Sequence, residues 1–277
     1  MMPGTNAFGG RVLSWVRGAC GQSTGCPRPP SPTPPARDAS VVWHEVEFGA
    51  YAADLELWEE LAAERGRRVL ELGCGAGRVG VWLARRGHLV TGLDTSWALV
   101  EEFDRRAEGL EVDARFGDAA DFSLEEGFDL VLAPMQLVQL LDGDEERAGC
   151  LGCVARHLRP NGTVALAIVE ETPSARAEES AAPLPDVREV DGWVYSSLPL
   201  ETVVDGDSIV VRRLRQTVSP DGELSEEVNE IELRALTAEQ LEAEAHAVGL
   251  RPAGRREIPA TDAHVGSTVV LLDKEGS

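Results

Sequence analysis

The densest group of residues suited to chemistry lies at positions 67–80, which read RRVLELGCGAGRVG. Glu71 is followed by Gly73, Gly75 and Gly77. Glycine has no Cβ, so such a turn lets backbone N–H groups approach a ligand closely. Apolar residues on both sides predict strand, glycine turn, helix. Two registers fit. Gly75-Ala76-Gly77-Arg78-Val79-Gly80 matches G-x-G-x-x-G, the dinucleotide pattern, and strands Gly73 and Cys74 between strand and turn. Taking Glu71 through Gly77 as one unit gives acidic-x-G-x-G-x-G instead. The Glu71 carboxylate separates the two, since it repels a pyrophosphate and suits a cationic ligand.

Further candidates stand at the ends of apolar segments. Asp94 closes HLVTGLD, about 20 residues after the first glycine, where a Rossmann-like site places an acid for ribose hydroxyls. Thr95 or Ser96 is placed to cap the next helix. Asp118 and Ala119 follow the third such segment, with Asp121 close by. Trp43, His44, Glu45 and Tyr51 are expected upstream on a loop or first helical turn. His44-Glu45 lacks the second histidine of H-E-x-x-H, because position 48 is Phe. The cysteines Cys20, Cys26, Cys74, Cys150 and Cys153 make no disulfide framework. The lone C-x-x-C of Cys150 and Cys153 is expected to pack a helix, and no metal site is predicted.

The unit from Glu71 to Gly77 resembles motif I of the class I S-adenosylmethionine-dependent methyltransferases, small-molecule type. That resemblance implies S-adenosyl-L-methionine as cofactor, a molecule with a positive sulfonium, a positive ammonium and no phosphate. It implies cofactor contacts from Glu71, Gly73, Cys74, Gly75 and Gly77, and from Asp94 and Thr95 beside the ribose. Asp118 would accept from the adenine amino group and the Ala119 N–H would meet a ring nitrogen, with Asp121 a rival. Ala133 and Pro134 would face the sulfonium. Methyltransferases of nucleic-acid amino groups often carry Asp/Asn-Pro-Pro-Tyr/Phe here, whereas this chain reads Ala133-Pro134-Met135-Gln136. The departure points to a small-molecule acceptor. His44, Tyr51 and Gln136 are the candidate catalytic groups. A dedicated base is optional, because positioning an acceptor in line with a good leaving group supplies much of the acceleration. His88, His157, His246 and His264 are expected to be structural. Two other functions remain open: a nicotinamide-dependent oxidoreductase using Gly75–Gly80, and a non-catalytic S-adenosylmethionine-binding regulator.

These residues need a scaffold, and the periodicity supplies one. Strands are expected at 69–72, 88–94, 111–116, 128–134 and 163–169, and helices at 41–64, 97–108, 145–158 and 237–248. Strand alternating with helix predicts an α/β doubly wound sheet. The resemblance implies a Rossmann-like, seven-stranded sheet of order 3-2-1-4-5-7-6 with strand 7 antiparallel. Its last two strands would be 255–258 and 267–272. An antiparallel β insertion is expected after strand 5, with strands near 193–200, 201–204, 208–218 and 223–236, separated by Asp205-Gly206 and Pro220-Asp221-Gly222. Three parts are expected: a disordered Pro-rich tail at 1–40, a methyltransferase domain at 41–277, and a β cap at 187–236 within it. The insertion could instead mediate dimerisation.

The chain has 277 residues and a net charge of −22. With no Lys/Arg cluster to neutralise phosphates, nucleic acid and anionic membranes are disfavoured. No apolar run approaches the roughly 20 residues that cross a bilayer, and residues 11–20 are too short and broken for a secretion signal. A cytoplasmic monomer or homodimer acting on a small molecule is the expectation.

Overall fold

A computed structural model describes residues 37–170, 184–261 and 264–274. Most of the tail expected at 1–40 lies outside the described residues, as do residues 171–183 before the expected β insertion. The helices are α1 (Ala39–Phe48), α2 (Leu55–Arg65), α3 (Arg78–Ala84), α4 (Trp97–Arg106), α5 (Leu137–Leu140), α6 (Asp144–His157) and α7 (Ala238–Ala247). One set of strands is β1 (Arg68–Leu72), β2 (Leu89–Asp94), β3 (Val112–Phe116), β4 (Phe128–Ala133) and β5 (Leu158–Ile168). Then come β6 (Asp186–Val190), β7 (Trp193–Asp205), β8 (Ser208–Val218) and β9 (Leu224–Arg234), followed by β10 (Leu250–Ile258) and β11 (Ser267–Lys274).

Seven strands form one sheet of order β10-β11-β5-β4-β1-β2-β3. β1 pairs in parallel with β2 and β4, and β11 runs antiparallel to both β5 and β10. This is the order the resemblance implied. Alternation along the central strands sends side chains to opposite faces. Val69, Leu130 and Leu132 join Trp58, Leu83 and Phe103, so α2, α3 and α4 cover that face. Leu70, Leu72 and Val131 join Val138, Leu151 and Leu241 from α5, α6 and α7 on the other. Both faces of β1 and β4 are therefore buried, which is why these strands read as unbroken apolar runs. Cys150 and Cys153 pack in the second cluster.

Several boundaries differ from expectation, each for a local reason. The helix expected at 41–64 is two helices, because its halves have different partners. α1 buries Val42 and Val46 against Tyr195, while α2 buries Leu55, Trp58 and Leu61 in the main core. Trp43, His44 and Glu45 thus lie within a helix, not on a loop or first turn. α6 ends at His157 and the chain turns straight into β5, five residues before the expected strand. Pro160 disfavours helix at the residue before it, and Leu158 already pairs with Phe128. β10 starts at Leu250 rather than 255. It is an edge strand exposed along most of its length, so it has no apolar alternation to read, and its edge position tolerates Pro252.

The remaining strands form a separate antiparallel sheet of order β6-β7-β8-β9. The segments expected at 193–200 and 201–204 are one strand, β7, with a bulge between Pro199 and Glu201. Proline removes a ladder donor, and a bulge accommodates that loss. Ile209, Val211, Arg213 and Arg215 of β8 stand opposite Leu233, Ile231, Asn229 and Glu227 of β9, on one face. Glu47 of α1 binds that face: it accepts from Arg215 at 2.8 and 2.7 Å and from the Ser197 hydroxyl at 2.8 Å. Glu45 accepts from Arg188 at 2.7 Å and also pairs with Arg106 of α4. One buried amide joins the two sheets. The Gln139 side chain donates to the carbonyls of Val169 (3.1 Å) and Arg234 (3.0 Å) and accepts from the Val169 N–H (2.7 Å). Gln139→Leu removes all three bonds, and each buried group left unsatisfied costs about 1–3 kcal/mol. At roughly 2–4 °C per kcal/mol for a chain of this size, Tm should fall by about 5 °C or more. A thermal melt with an unchanged midpoint would show that this junction carries no stability.

Candidate functional site

The strand order reverses at β1, which has β2 on one side and β4 on the other. In doubly wound sheets the crevice at the carboxyl ends of such strands is where ligands bind. A cavity of about 580 Å³ lies there, within the ~300–1,000 Å³ typical of small-molecule sites.

The turn between β1 and α3 forms one wall. Gly73, Gly75 and Gly77 have φ of 62°, 53° and 80°, a region L-residues rarely adopt. The Cys74 N–H donates to the Leu93 carbonyl at 3.1 Å, and the Gly75 N–H donates to Asp94 Oδ2 at 2.8 Å. The other Asp94 oxygen accepts from the Ser96 N–H at 2.9 Å. Ser96, not Thr95, is the N-cap of α4. Asp94 therefore ties the glycine turn to α4 while facing the cavity.

Most of the sequence-predicted residues converge. Glu71, Gly73, Cys74, Gly75, Asp94, Thr95, Asp118, Ala119, Pro134, His44 and Gln136 all line the cavity. Three predicted residues do not. Gly77 lies behind the turn, where a Cβ would overlap the Phe103 ring. Ala133 is fully buried in the sheet. Tyr51 lines a smaller adjoining cavity with Asp54, Met135, Gln136 and His264. Asp121, the rival of Asp118, is exposed and outside the cavity lining. The aromatic side chain that α1 contributes is Phe48, one turn from His44, with ring centroids 5.4 Å apart. Trp43 packs edge-on against Tyr195 instead.

Other residues of the site carried no legible signal. Arg78 donates to both oxygens of buried Asp54, at 2.6 and 2.7 Å, and to the Tyr51 carbonyl at 3.1 Å. Trp58 donates to the same carboxylate at 2.8 Å. This network anchors the start of α3 to α2. His264, expected to be structural, lines both cavities and packs at a 36° tilt against Tyr51, with ring centroids 4.4 Å apart. Arg213 reaches the cavity from β8. Met135 and Gln136 both adopt positive φ, 54° and 62°, at the end of β4. Such backbone is uncommon outside glycine and concentrates at functional sites. Gln136 is further held by a 2.9 Å hydrogen bond to Ser267.

Charge in this cavity is unbalanced at one point. Glu71 is buried, and its Oε2 has no hydrogen-bond partner. Burial raises its carboxyl to about 8, with Arg78 and the Gly80 N–H opposing and the Asp54 and Asp94 charges adding. His44 Nδ1 is likewise buried without a partner, and burial lowers the pKa of this imidazole. A cationic group facing Glu71 would relieve the first deficit; a phosphate would aggravate it.

A family model described as "Methyltransferase domain" matches residues 69–162, the segment from β1 into β5 that builds this wall. That match agrees with the resemblance of Glu71–Gly77 to the class I S-adenosylmethionine-dependent methyltransferases. Among curated relatives, it is 32% identical over 112 residues to a cypemycin N-terminal methyltransferase from Streptomyces sp, covering 40% of this chain and 46% of that protein. It is 36% identical over 118 residues to methyltransferase GfsG of Streptomyces halstedii, covering 40% and 41%. These matches span a little under half the length of those relatives. Two solved structures share the fold. The sugar N-methyltransferase KedS8 from Streptoalloteichus sp superposes with a TM-score of 0.67 at 19% identity, covering 96% of this chain and 100% of that one. The amino pentose methyltransferase CalS10 from Micromonospora echinaspora, solved with S-adenosylmethionine bound, gives 0.65 at 20% identity, covering 84% and 96%.

The pH response of this domain should report Glu71. Its carboxyl titrates near 4.5 unfolded and near 8 folded, so between these values the folded state holds more protons. Stability from this group is complete below about 4.5 and is lost as pH rises toward about 8. His44 and His264, lowered by burial, act in the opposite sense near neutrality. Glu71→Gln isolates the effect, because it keeps the shape and removes the titration. The Tm of the variant minus that of the wild type should climb between pH 5 and 8. A difference that stays flat across that range would mean Glu71 is ionised in the folded protein.

Proposed function

We propose that this chain binds S-adenosylmethionine and transfers its methyl group to a small-molecule acceptor. The observation that carries the proposal is the buried, unpartnered Glu71 carboxylate beside a glycine turn. It fits a cationic cofactor and fits neither a pyrophosphate nor an empty structural turn. The cofactor, when bound, supplies a methyl carbon on a positively charged sulfur.

The residues divide the work by position. The backbone of Gly73, Cys74 and Gly75 approaches the cofactor closely, with Gly77 making room behind the turn. Glu71 offsets its positive charge. Asp94 keeps a lone pair on each oxygen beyond the backbone bonds it accepts, and these serve the ribose hydroxyls beside Thr95. Asp118 and the Ala119 N–H read the adenine. Ala133 fixes the end of β4, so that Pro134 borders the methyl group. Gln136 and His44 remain candidates to contact the acceptor. Tyr51 lies one layer back and acts through His264 and Arg78, as a positioning residue. The acceptor enters under the β cap at 187–236, within a methyltransferase domain at 41–277.

No helix among the described residues is long and apolar enough to cross a membrane. The buried free thiols Cys74, Cys150 and Cys153 suit a reducing, cytoplasmic setting. The names of similar proteins include sugar N-methyltransferases and ubiquinone biosynthesis O-methyltransferases, so both nitrogen and oxygen acceptors are compatible with the family.

Asp94→Ala tests the assignment. Hydrogen bonds to a charged acceptor are worth roughly 1.5–3 kcal/mol each, so affinity for S-adenosylmethionine should fall by about tenfold or more. S-adenosylhomocysteine, with the same ribose, should weaken in parallel. Calorimetry giving wild-type affinities, with lower Tm, would reduce Asp94 to a clamp between the glycine turn and α4.

A further inference from the structure

The cavity has two chemically different ends. Its acids, Glu71, Asp94 and Asp118, all belong to β1, β2 and the loop after β3. The end under the four-stranded sheet is lined by Ile209, Val211, Ile231 and Leu233, and Leu140 and Val265 also line the cavity. Among the described residues, no carboxylate lines this second end. The groups there able to hydrogen-bond are Thr202, Gln136, Arg213 and His264. Arg213 is already engaged, donating to Asp186 at 2.5 Å and to Ser197 at 2.8 and 3.2 Å. The Gln136 amide nitrogen is held by Ser267. The His264 ring has no hydrogen bond to its nitrogens among the described residues and borders both cavities.

We infer that the acceptor is an apolar molecule bearing a neutral hydroxyl, seated with its body under β8 and β9 and its hydroxyl at His264, rather than an amine. This rests on the methyltransferase function proposed above. An amine is mostly ammonium near neutral pH, and burying it among Ile, Val and Leu, where no carboxylate among the described residues lines this end of the larger cavity, is costly. A hydroxyl carries no such charge, and the apolar wall favours a hydrocarbon body. The groups whose charge reaches His264 are Asp54, Arg78, Asp186 and Arg213, two acids against two arginines. Burial lowers the His264 pKa, which leaves the imidazole neutral with a lone pair to accept the hydroxyl proton. The acceptor oxygen forms its bond to the methyl carbon as the sulfur–carbon bond breaks, the electron pair leaving with sulfur. The hydroxyl proton passes to His264, which is part-exposed and can return it to solvent.

Three probes that share a butylphenyl body test this by binding alone: para-butylphenol, para-butylbenzylamine and butylbenzene, titrated calorimetrically into protein saturated with S-adenosylhomocysteine. The phenol should bind about tenfold more tightly than the amine, a difference of about 1.4 kcal/mol. His264→Ala should bring the phenol down to the level of butylbenzene, while His264→Gln, which keeps an acceptor, restores part of the gap. Ile231→Asp should reverse the preference in favour of the amine. S-adenosylhomocysteine affinity in each variant checks that the cofactor half is intact. Equal or tighter binding of the amine, or binding of none of the probes, overturns the inference and leaves the methyltransferase proposal standing. A phenol preference that survives His264→Ala overturns the seat at His264. Failure of the wild type to bind S-adenosylhomocysteine overturns both.

Discussion

The site depends on one steric interlock. The Phe103 ring, fully buried on α4, occupies the space that side chains would fill at three glycines. A Cβ at Gly77, at Gly80 or at Gly92 would overlap it. These glycines belong to the glycine turn, to α3 and to β2, so a single ring sets the spacing of three elements at once. A close-packed interior has no slack to absorb even one methyl group here. Two of the three positions have φ values open to any residue, so it is contact rather than conformation that demands glycine at 80 and 92. The consequence reaches the chemistry. With α4 drawn onto the turn, Ser96 and Gly75 donate to the two oxygens of one carboxylate, Asp94.

A second constraint divides the smaller sheet. Its inner face changes character along β8, from Ile209 and Val211 to Arg213 and Arg215. The apolar end roofs the cavity, and the cationic end meets Glu47 of α1. Glu47 is buried with two arginines and a serine hydroxyl around it. A buried ion pair adds little net stability over an apolar contact, but losing one partner is expensive. α1 is thereby fixed to the roof at one end, and to α4 through Glu45 and Arg106. The same helix presents His44 to the Gly75 turn, where a Cβ would collide with the imidazole.

The sequence made legible whatever local pattern dictates. Apolar runs located β1, β2 and β4 to within a residue or so, because strands buried on both faces need no partner to be recognised. The turn and Asp94 were legible because closely spaced glycines weaken a fold unless a ligand or a tight turn needs them, and an acid one strand further on completes that need. The capping box of Thr237 and Gln240 marked α7, since both of its hydrogen bonds are made within one helical turn. What stayed hidden depends on contacts distant in sequence. Gln139 meets Val169 and Arg234, 30 and 95 residues away. Arg78 and Asp54 are 24 apart, and Glu47 and Arg215 are 168 apart. His264 looked like a tail residue because the strand that carries it back to the site, β11, begins after it.

The segment from Ala133 to Gln139 joins these constraints. Ala133 ends β4 in the sheet, Met135 and Gln136 turn with positive φ, and Gln139 bonds the ends of β5 and β9. Seven residues thus run from the wall proposed for the cofactor to the seam between the two sheets. Two consecutive left-handed residues without glycine persist only where surrounding contacts over-determine them. Here the contacts are Gln136 to Ser267 on one side and Gln139 to Val169 on the other. The roof and the floor of the cavity are therefore mechanically one piece at this point. A change in the seat of β9 must act on Gln139, and through it on the backbone that carries Gln136. The position of Gln136 at the cavity wall is set by this short link.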